Sequence, residues 1–308
     1  MHVLMLFLDG VGIGVEDASV NPFFRASLPA LRSMLDGEML SLNNPELRNS
    51  ISTSVALDAT LGVEGLPQSG TGQTALFTGV NAPQLIGKHF GPYPYSTLRP
   101  LIKEKNIFRQ LKESRRTPYF ANAYPQKFFD YFDQRQTRLT VTTLSCSFVE
   151  MPLHTVDVLE KGRALSADIT NAAWPRMGYN IPQIDPAEAG ARLVRLAEEF
   201  DFVLFEYWRT DKAGHSEKLP DAVDALQLFD AMLQGILSNL NVNTTLLFIT
   251  SDHGNIEDMS TKVHTRNPVP AILYGFRHHE VAEAMLKSPD LTVVTPTLCR
   301  FITETAAP

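Results

Sequence analysis

Cysteine is scarce in this chain. Only Cys146 and Cys299 occur in 308 residues, so no disulfide framework can staple the fold, and a reducing compartment is expected. No stretch reaches the ~18 consecutive apolar residues that a membrane span needs, which argues against a helical membrane protein. Basic residues are outnumbered, 27 Lys and Arg against 34 Asp and Glu. The net charge of -7 argues against a nucleic-acid surface as the main role. Internal repeats, linkers and low-complexity segments are also lacking. The apolar run at residues 3–8 has no basic flank and ends in Asp9-Gly10, so it reads as a buried strand and not as a leader. A soluble, cytoplasmic protein is therefore expected. Apolar residues make up 44% and charged residues 20%, ordinary values for one large globular domain spanning residues 1–308.

Five apolar runs of strand length are present, at residues 3–8, 118–121, 202–205, 246–249 and 271–274. They are apolar throughout and not alternating, as a parallel sheet covered on both faces requires. Helical periodicity lies between them. Residues 186–200 carry Ala189, Leu193, Leu196, Ala197 and Phe200 on one face. Residues 220–240 repeat the pattern with Val223, Leu226, Phe229, Leu233, Ile236 and Leu240. A shorter helix is expected at 106–114, another begins at about residue 74, and His278-His279 opens a surface helix. Thr295-Pro296 reads as an N-cap followed by proline at the first helical position. Alternating strands and helices predict an α/β fold, a mainly parallel sheet sandwiched by helices. Residues 125–185 show no clear period and read as a partial cap inserted over the site.

In such sheets the site forms outside the carboxyl ends of the strands. Acidic and histidine residues cluster at those positions. Asp9 closes the first run, and Asp211 and His215 stand in Thr210-Asp211-Lys212-Ala213-Gly214-His215 after the third. Asp252 and His253 stand in Thr250-Ser251-Asp252-His253-Gly254-Asn255 after the fourth, and His264 opens His264-Thr265-Arg266-Asn267-Pro268. Three Asp and three His are the ligand types that a pair of divalent metals needs. Any one of them alone has a plainer reading as a strand-end turn or a solvated loop. The set carries the signal. Ser69 and Thr71, in Pro67-Gln68-Ser69-Gly70-Thr71-Gly72-Gln73-Thr74, are competing candidates for a nucleophile at a helix N-terminus, where backbone donors and the dipole favour an incoming phosphate. Arg266, Lys212, Lys88 and His89 are candidate phosphate- or substrate-binding groups.

These segments together resemble the alkaline phosphatase superfamily. Within it they resemble the metalloenzyme branch of cofactor-independent phosphoglycerate mutase and phosphopentomutase. The resemblance rests on Leu8-Asp9-Gly10, Ser69-Gly70-Thr71-Gly72-Gln73 and the three segments that hold Asp211, Asp252 and His264. It implies two metals, one held by Asp211, His215 and His264, the other by Asp9, Asp252, His253 and the nucleophile. In those mutases the nucleophile stands three residues before a glycine, which selects Ser69 over Thr71. The chain departs from them at Gln73, where they carry histidine, and in its short cap.

The expected activity is two-metal phosphoryl transfer, foremost hydrolysis of a small phosphorylated metabolite through a phosphoserine. A mutase closes a lid over its intermediate, and a small cap favours hydrolysis. A phosphomutase is the second reading, and a non-catalytic phospho-ligand-binding protein of the same fold a distant third. Mixed Asp and His ligands suit manganese or zinc first, then iron or magnesium. A serine hydrolase triad would leave Asp9, Asp211, His215 and His253 idle, and Pro67 and Thr71 stand where its elbow needs glycine. The glycines at 10, 12 and 14 fail the dinucleotide fingerprint at Val15. No Cys-x-Pro-x-Arg stands at the nucleophile, against a sulfatase. Neither nucleic acid nor membrane is an expected partner, and nothing in the sequence indicates an oligomer.

Overall fold

The computed structural model describes residues 1–135 and 138–304. A six-stranded sheet runs through its centre. Its strands are β1 (His2–Leu8), β2 (Ser52–Leu57), β3 (Pro118–Phe120), β4 (Phe202–Tyr207), β5 (Thr245–Thr250) and β6 (Val269–Gly275). They lie in the order β2-β6-β5-β1-β4-β3. All point the same way except β6, which pairs antiparallel with both β5 and β2. The mainly parallel α/β sheet expected from the apolar runs is therefore present.

The continuous apolar runs have a simple cause. In β1, Leu4, Leu6 and Leu8 enter one core while Val3, Met5 and Phe7 enter another on the opposite face. Alternating side chains are buried on both sides, so no polar position is left. Helices α4 (Pro186–Glu199) and α6 (Leu219–Asn239) cover the first face with Leu193, Leu196, Leu226 and Phe229. Helices α1 (Ser69–Thr78), α2 (Ile107–Glu113), α3 (Val141–Phe148) and α8 (Val294–Thr303) cover the second. Two further helices are α5 (Arg209–Gly214) and α7 (His278–Met285).

Three expectations shift. Helix α1 begins at Ser69, five residues before the expected start, so Ser69 is its first residue and does not precede it. Thr295 does not cap α8, which begins at Val294. Its hydroxyl donates instead to the Leu76 carbonyl of α1 at 2.7 Å. Strand β2 was not foreseen, because Ser-Thr-Ser-Val-Ala-Leu lacks a continuous apolar run. Residues 125–185, of which 136 and 137 lie outside the described residues, divide in two. Helix α3 sends Val141, Leu144 and Cys146 into the core beneath the sheet. Residues 156–181 form a small separate cluster around Trp174 near the carboxyl edge. No helix among the described residues is long and apolar enough to cross a membrane.

Candidate metal centre

The loops after β1, β4 and β5 bring their acids together at the carboxyl edge. Gly10, with φ +68°, turns the chain sharply after Asp9, and a Cβ there would lie 2.7 Å from Asp211 Oδ1. A Cβ on Gly72 would lie 2.6 Å from the Asp252 carbonyl oxygen, so α1 packs directly on the loop that carries Asp252. Two overlapping sets of ligand atoms result. Asp9, Asp252 and His253 offer atoms within 4.8 Å of one another, and Asp211, His253 and His264 do the same. His215 completes the second set, its Nε2 3.3 Å from Asp211 Oδ2 and 3.3 Å from His264 Nε2. Ser69 Oγ lies 2.9 Å from His253 Nε2, at the junction of the two sets.

The three histidines share one arrangement. Each Nδ1 faces a backbone carbonyl: Lys262 for His215 at 2.7 Å, Gly254 for His253 at 3.3 Å and Pro67 for His264 at 2.7 Å. A carbonyl can only accept, so each Nδ1 carries a proton, and each inward-facing Nε2 is left to ligate a cation or, without one, to take a second proton. The Nε2 atoms of His215 and His264 face each other at 3.3 Å, and as neutral rings they would oppose two lone pairs. That contact is repulsive unless a proton or cation stands between them. Two buried carboxylate oxygens, Asp9 Oδ1 and Asp252 Oδ2, have no hydrogen-bond partner. Converging lone pairs and unpartnered buried carboxylates fit divalent cations, which supply the missing charge.

Electrostatics lead the same way. Burial, reinforced by the charge of Asp252, raises the Asp9 carboxyl to about 8. Burial also raises Asp252. Burial would lower His253, but the charges of Asp252 and Asp9 overcome it and hold the ring up to about 10. Burial, with the charge of His253, lowers His264 to about 4. Asp211 is held down to about 2, because the hydrogen bond from His215 and the charge of His253 outweigh burial. Without a cation the cluster offsets its buried negative charge by retaining protons.

The other sequence candidates are spread out. The Thr71 hydroxyl is engaged with the Gln68 carbonyl at 3.1 Å and is not among the converging groups. Lys88 and His89 line an open cleft beside Gln68, where His89 Nε2 lies 3.2 Å from the Val63 carbonyl. Arg266 Nε donates to the Gly65 carbonyl on that same side. Lys212 stands apart, its ammonium 5.7 Å over the Trp208 ring.

Three buried groups were missed. Glu257 accepts from the backbone N–H of Gly12 at 2.8 Å and of Asn255 at 2.7 Å, from the Asn267 amide at 3.0 Å, and from the Thr265 hydroxyl. It thereby ties three site loops together. Asn255 donates to Asp211 Oδ1 at 2.7 Å. Glu206, on β4, accepts from the Thr142 hydroxyl at 2.6 Å, and burial with the charge of Asp9 raises it to about 7. A glutamate inside the apolar run Phe202-Val203-Leu204-Phe205-Glu206-Tyr207 was the available signal.

A family profile described as "Metalloenzyme superfamily" matches residues 1–305. The chain belongs to that superfamily. This metalloenzyme is 23% identical over 195 residues to a 2,3-bisphosphoglycerate-independent phosphoglycerate mutase of Saccharolobus solfataricus, covering 56% of the chain and 47% of the relative. It spans less than half the length of the phosphoglycerate mutases that it matches. Its fold is shared with the PH0037 protein of Pyrococcus horikoshii, with a TM-score of 0.59, 13% identity and coverage of 100% and 98% of the two chains. It is also shared with the alkaline phosphatase of the Antarctic bacterium TAB5, with a TM-score of 0.52, 12% identity and coverage of 99% and 98%.

Proposed function

We propose that this metalloenzyme is a phosphoryl-transfer enzyme that hydrolyses phosphate monoesters with Ser69 as nucleophile. The observation that carries the reading is the position of Ser69 Oγ, 2.9 Å from His253 Nε2 where the two ligand sets meet. Asp211, His215 and His264 would hold one divalent ion, and Asp9, Asp252, His253 and Ser69 the other. Such a pair supplies Lewis acidity that lowers the serine pKa and neutralises phosphoryl oxygens. Ser69 stands at the positive end of α1, which favours the anionic ester. Its oxygen attacks phosphorus, the ester P–O bond breaks, and the alcohol leaves. Water then cleaves the phosphoserine to return the hydroxyl and release phosphate. Thr71, with its hydroxyl engaged elsewhere, is the weaker candidate for this role.

Hydrolysis is favoured over mutase chemistry because water has access. The His215 side chain is 45% exposed. Part of the expected cap is spent on core packing by α3 and cannot close over the site. The phosphoglycerate mutases among the relatives keep phosphomutation as the second reading.

The test is p-nitrophenyl phosphate turnover by chelated protein after manganese, zinc or magnesium is restored, for wild type and Ser69→Ala. Metal-dependent turnover that drops at least ~10³-fold in the variant supports the reading. Undiminished turnover in Ser69→Ala removes the nucleophile assignment. Interconversion of 2- and 3-phosphoglycerate without net phosphate release would favour the mutase.

A further inference from the structure

A second feature of the carboxyl edge is not used by the chemistry above. Helix α5 carries the ligand Asp211, and its Arg209 and Lys212 with the preceding Trp208 form one wall of a cleft of about 580 Å³. The opposite wall comes from residues 166–168, 172–174, 176 and 177 of the middle segment. The cleft is large for a three-carbon phospho acid and within the range of small-molecule sites. Arg209 and Lys212, three apart on α5 and flanking Asp211 in sequence, line it together with Arg176 from the facing wall. Neither arginine forms a salt bridge among the described residues. The one acid in the lining, Asp168, already accepts from the Ser166 hydroxyl and from the backbone N–H of Asn171 and Ala173. The floor is apolar and aromatic. Trp174 is buried, whereas Trp208 is 42% exposed, with the Lys212 ammonium 5.7 Å from its ring centroid.

Resting on the phosphoryl-transfer reading, we propose that this cleft receives the non-phosphate end of the substrate. The ester it selects has a planar or apolar body and a second anionic group. The body lies against Trp208, and the second anion is met by Arg176 and Arg209. Arginine suits that task because its planar fork binds a carboxylate or phosphate through two parallel hydrogen bonds. Arg209 and Lys212 lie two residues before and one after Asp211 on α5, so the cleft opens within about one helical turn, ~5 Å along the axis, of the metal centre. Arg176, Arg209 and Trp208 are thus assigned as specificity-determining residues.

The chain has only two tryptophans, and both line this cleft. Intrinsic fluorescence therefore reports on it directly. The probes are benzylphosphonate and 4-carboxybenzylphosphonate, whose P–C bond resists hydrolysis, titrated into manganese-loaded protein. The carboxylated probe is expected to bind about tenfold tighter and to change the emission, as one charge-assisted hydrogen-bonded pair implies. In Arg176→Ala and Arg209→Ala the two affinities should converge to within about twofold, with melting temperatures unchanged because both side chains reach solvent. Equal affinities in the wild type, no binding of either probe, or a preference untouched by both substitutions would overturn the assignment. Turnover of phenyl phosphate tests the reaction separately. Preference without turnover keeps the cleft and removes the reaction, whereas turnover without preference keeps the reaction and removes the cleft.

Discussion

Replacing Asp9 with asparagine should stabilise the metal-free protein while roughly halving its response to metal. In the absence of a cation, folding takes the Asp9 carboxyl from 3.8 to about 8. A carboxyl raised in the folded state contributes stability that is present below pH 3.8 and lost as pH rises through about 8. At pH 7 the penalty is 1.36 kcal/mol multiplied by the difference between 7 and 3.8, roughly 4 kcal/mol. Asparagine cannot ionise and escapes it. Part of the gain is returned, because Asp9 supports the protonated His253. A net gain of about 2 kcal/mol is expected, or ~4 °C in melting temperature for a chain of this size. With manganese at 100 times the dissociation constant of each site the wild type gains about 2.7 kcal/mol, or ~5 °C, per bound ion, and the variant keeps only the share of the Asp211 set. The assay is thermal unfolding of both proteins, with chelator and with manganese, at pH 5, 7 and 8. The advantage of the chelated variant should grow from pH 5 to pH 8. A chelated variant that melts below the chelated wild type, or one that keeps the full manganese shift, would refute the reasoning.

The metal-free wild type should also lose stability between pH 7 and 10. His253 is raised from 6.5 to about 10, so its contribution is complete below pH 6.5 and gone above 10. Metal-loaded protein should show a flatter profile, and equal slopes for the two forms would count against the site. His264→Ala removes a ligand from the Asp211 set alone, so bound metal after dialysis should fall from about two ions per chain to about one. Mass spectrometry of the metal content reads this directly, and two retained ions would exclude His264 as a ligand. Leu144→Ala should cost roughly 3 kcal/mol, or ~6 °C, because α3 is buried in the core. A change under 1 °C would mean that α3 belongs to a loose cap and not to the core.

Much of the fold and of the site was legible in the sequence. The reasons are physical and specific to particular elements. Strands β1, β4 and β5 end in a loop that bears an acid, and strands buried on both faces hold few other polar residues to confuse with it, Glu206 of β4 being the exception. Asp9, Asp211 and Asp252 therefore stood out singly, and parallel strands place such ends on one edge. Direction was harder to read. Strand β6 is antiparallel, yet it is buried like its neighbours and its residues look no different. Strand β2 was hidden because its buried hydroxyls find partners in distant segments, as Ser52 does by donating to the Met34 carbonyl at 2.6 Å and Thr53 does with His278 Nδ1 at 2.9 Å. Helix α3, Val-Thr-Thr-Leu-Ser-Cys-Ser-Phe, is poor in helix formers and forms through tertiary burial, so its propensity pointed elsewhere. The positioning groups were the least legible. Glu206 at least stands inside an apolar run, but Glu257 is an ordinary acid in sequence and acquires meaning only when distant loops deliver donors to it, as Gly12, Thr265 and Asn267 do. The clustered acids and histidines could be found because ligand chemistry restricts residue type at strand ends. The groups that aim them are recognised by their partners, and the partners are set by the fold. The cleft residues Arg176 and Trp208 belong to this second kind, so their assignment rests on the contacts around them.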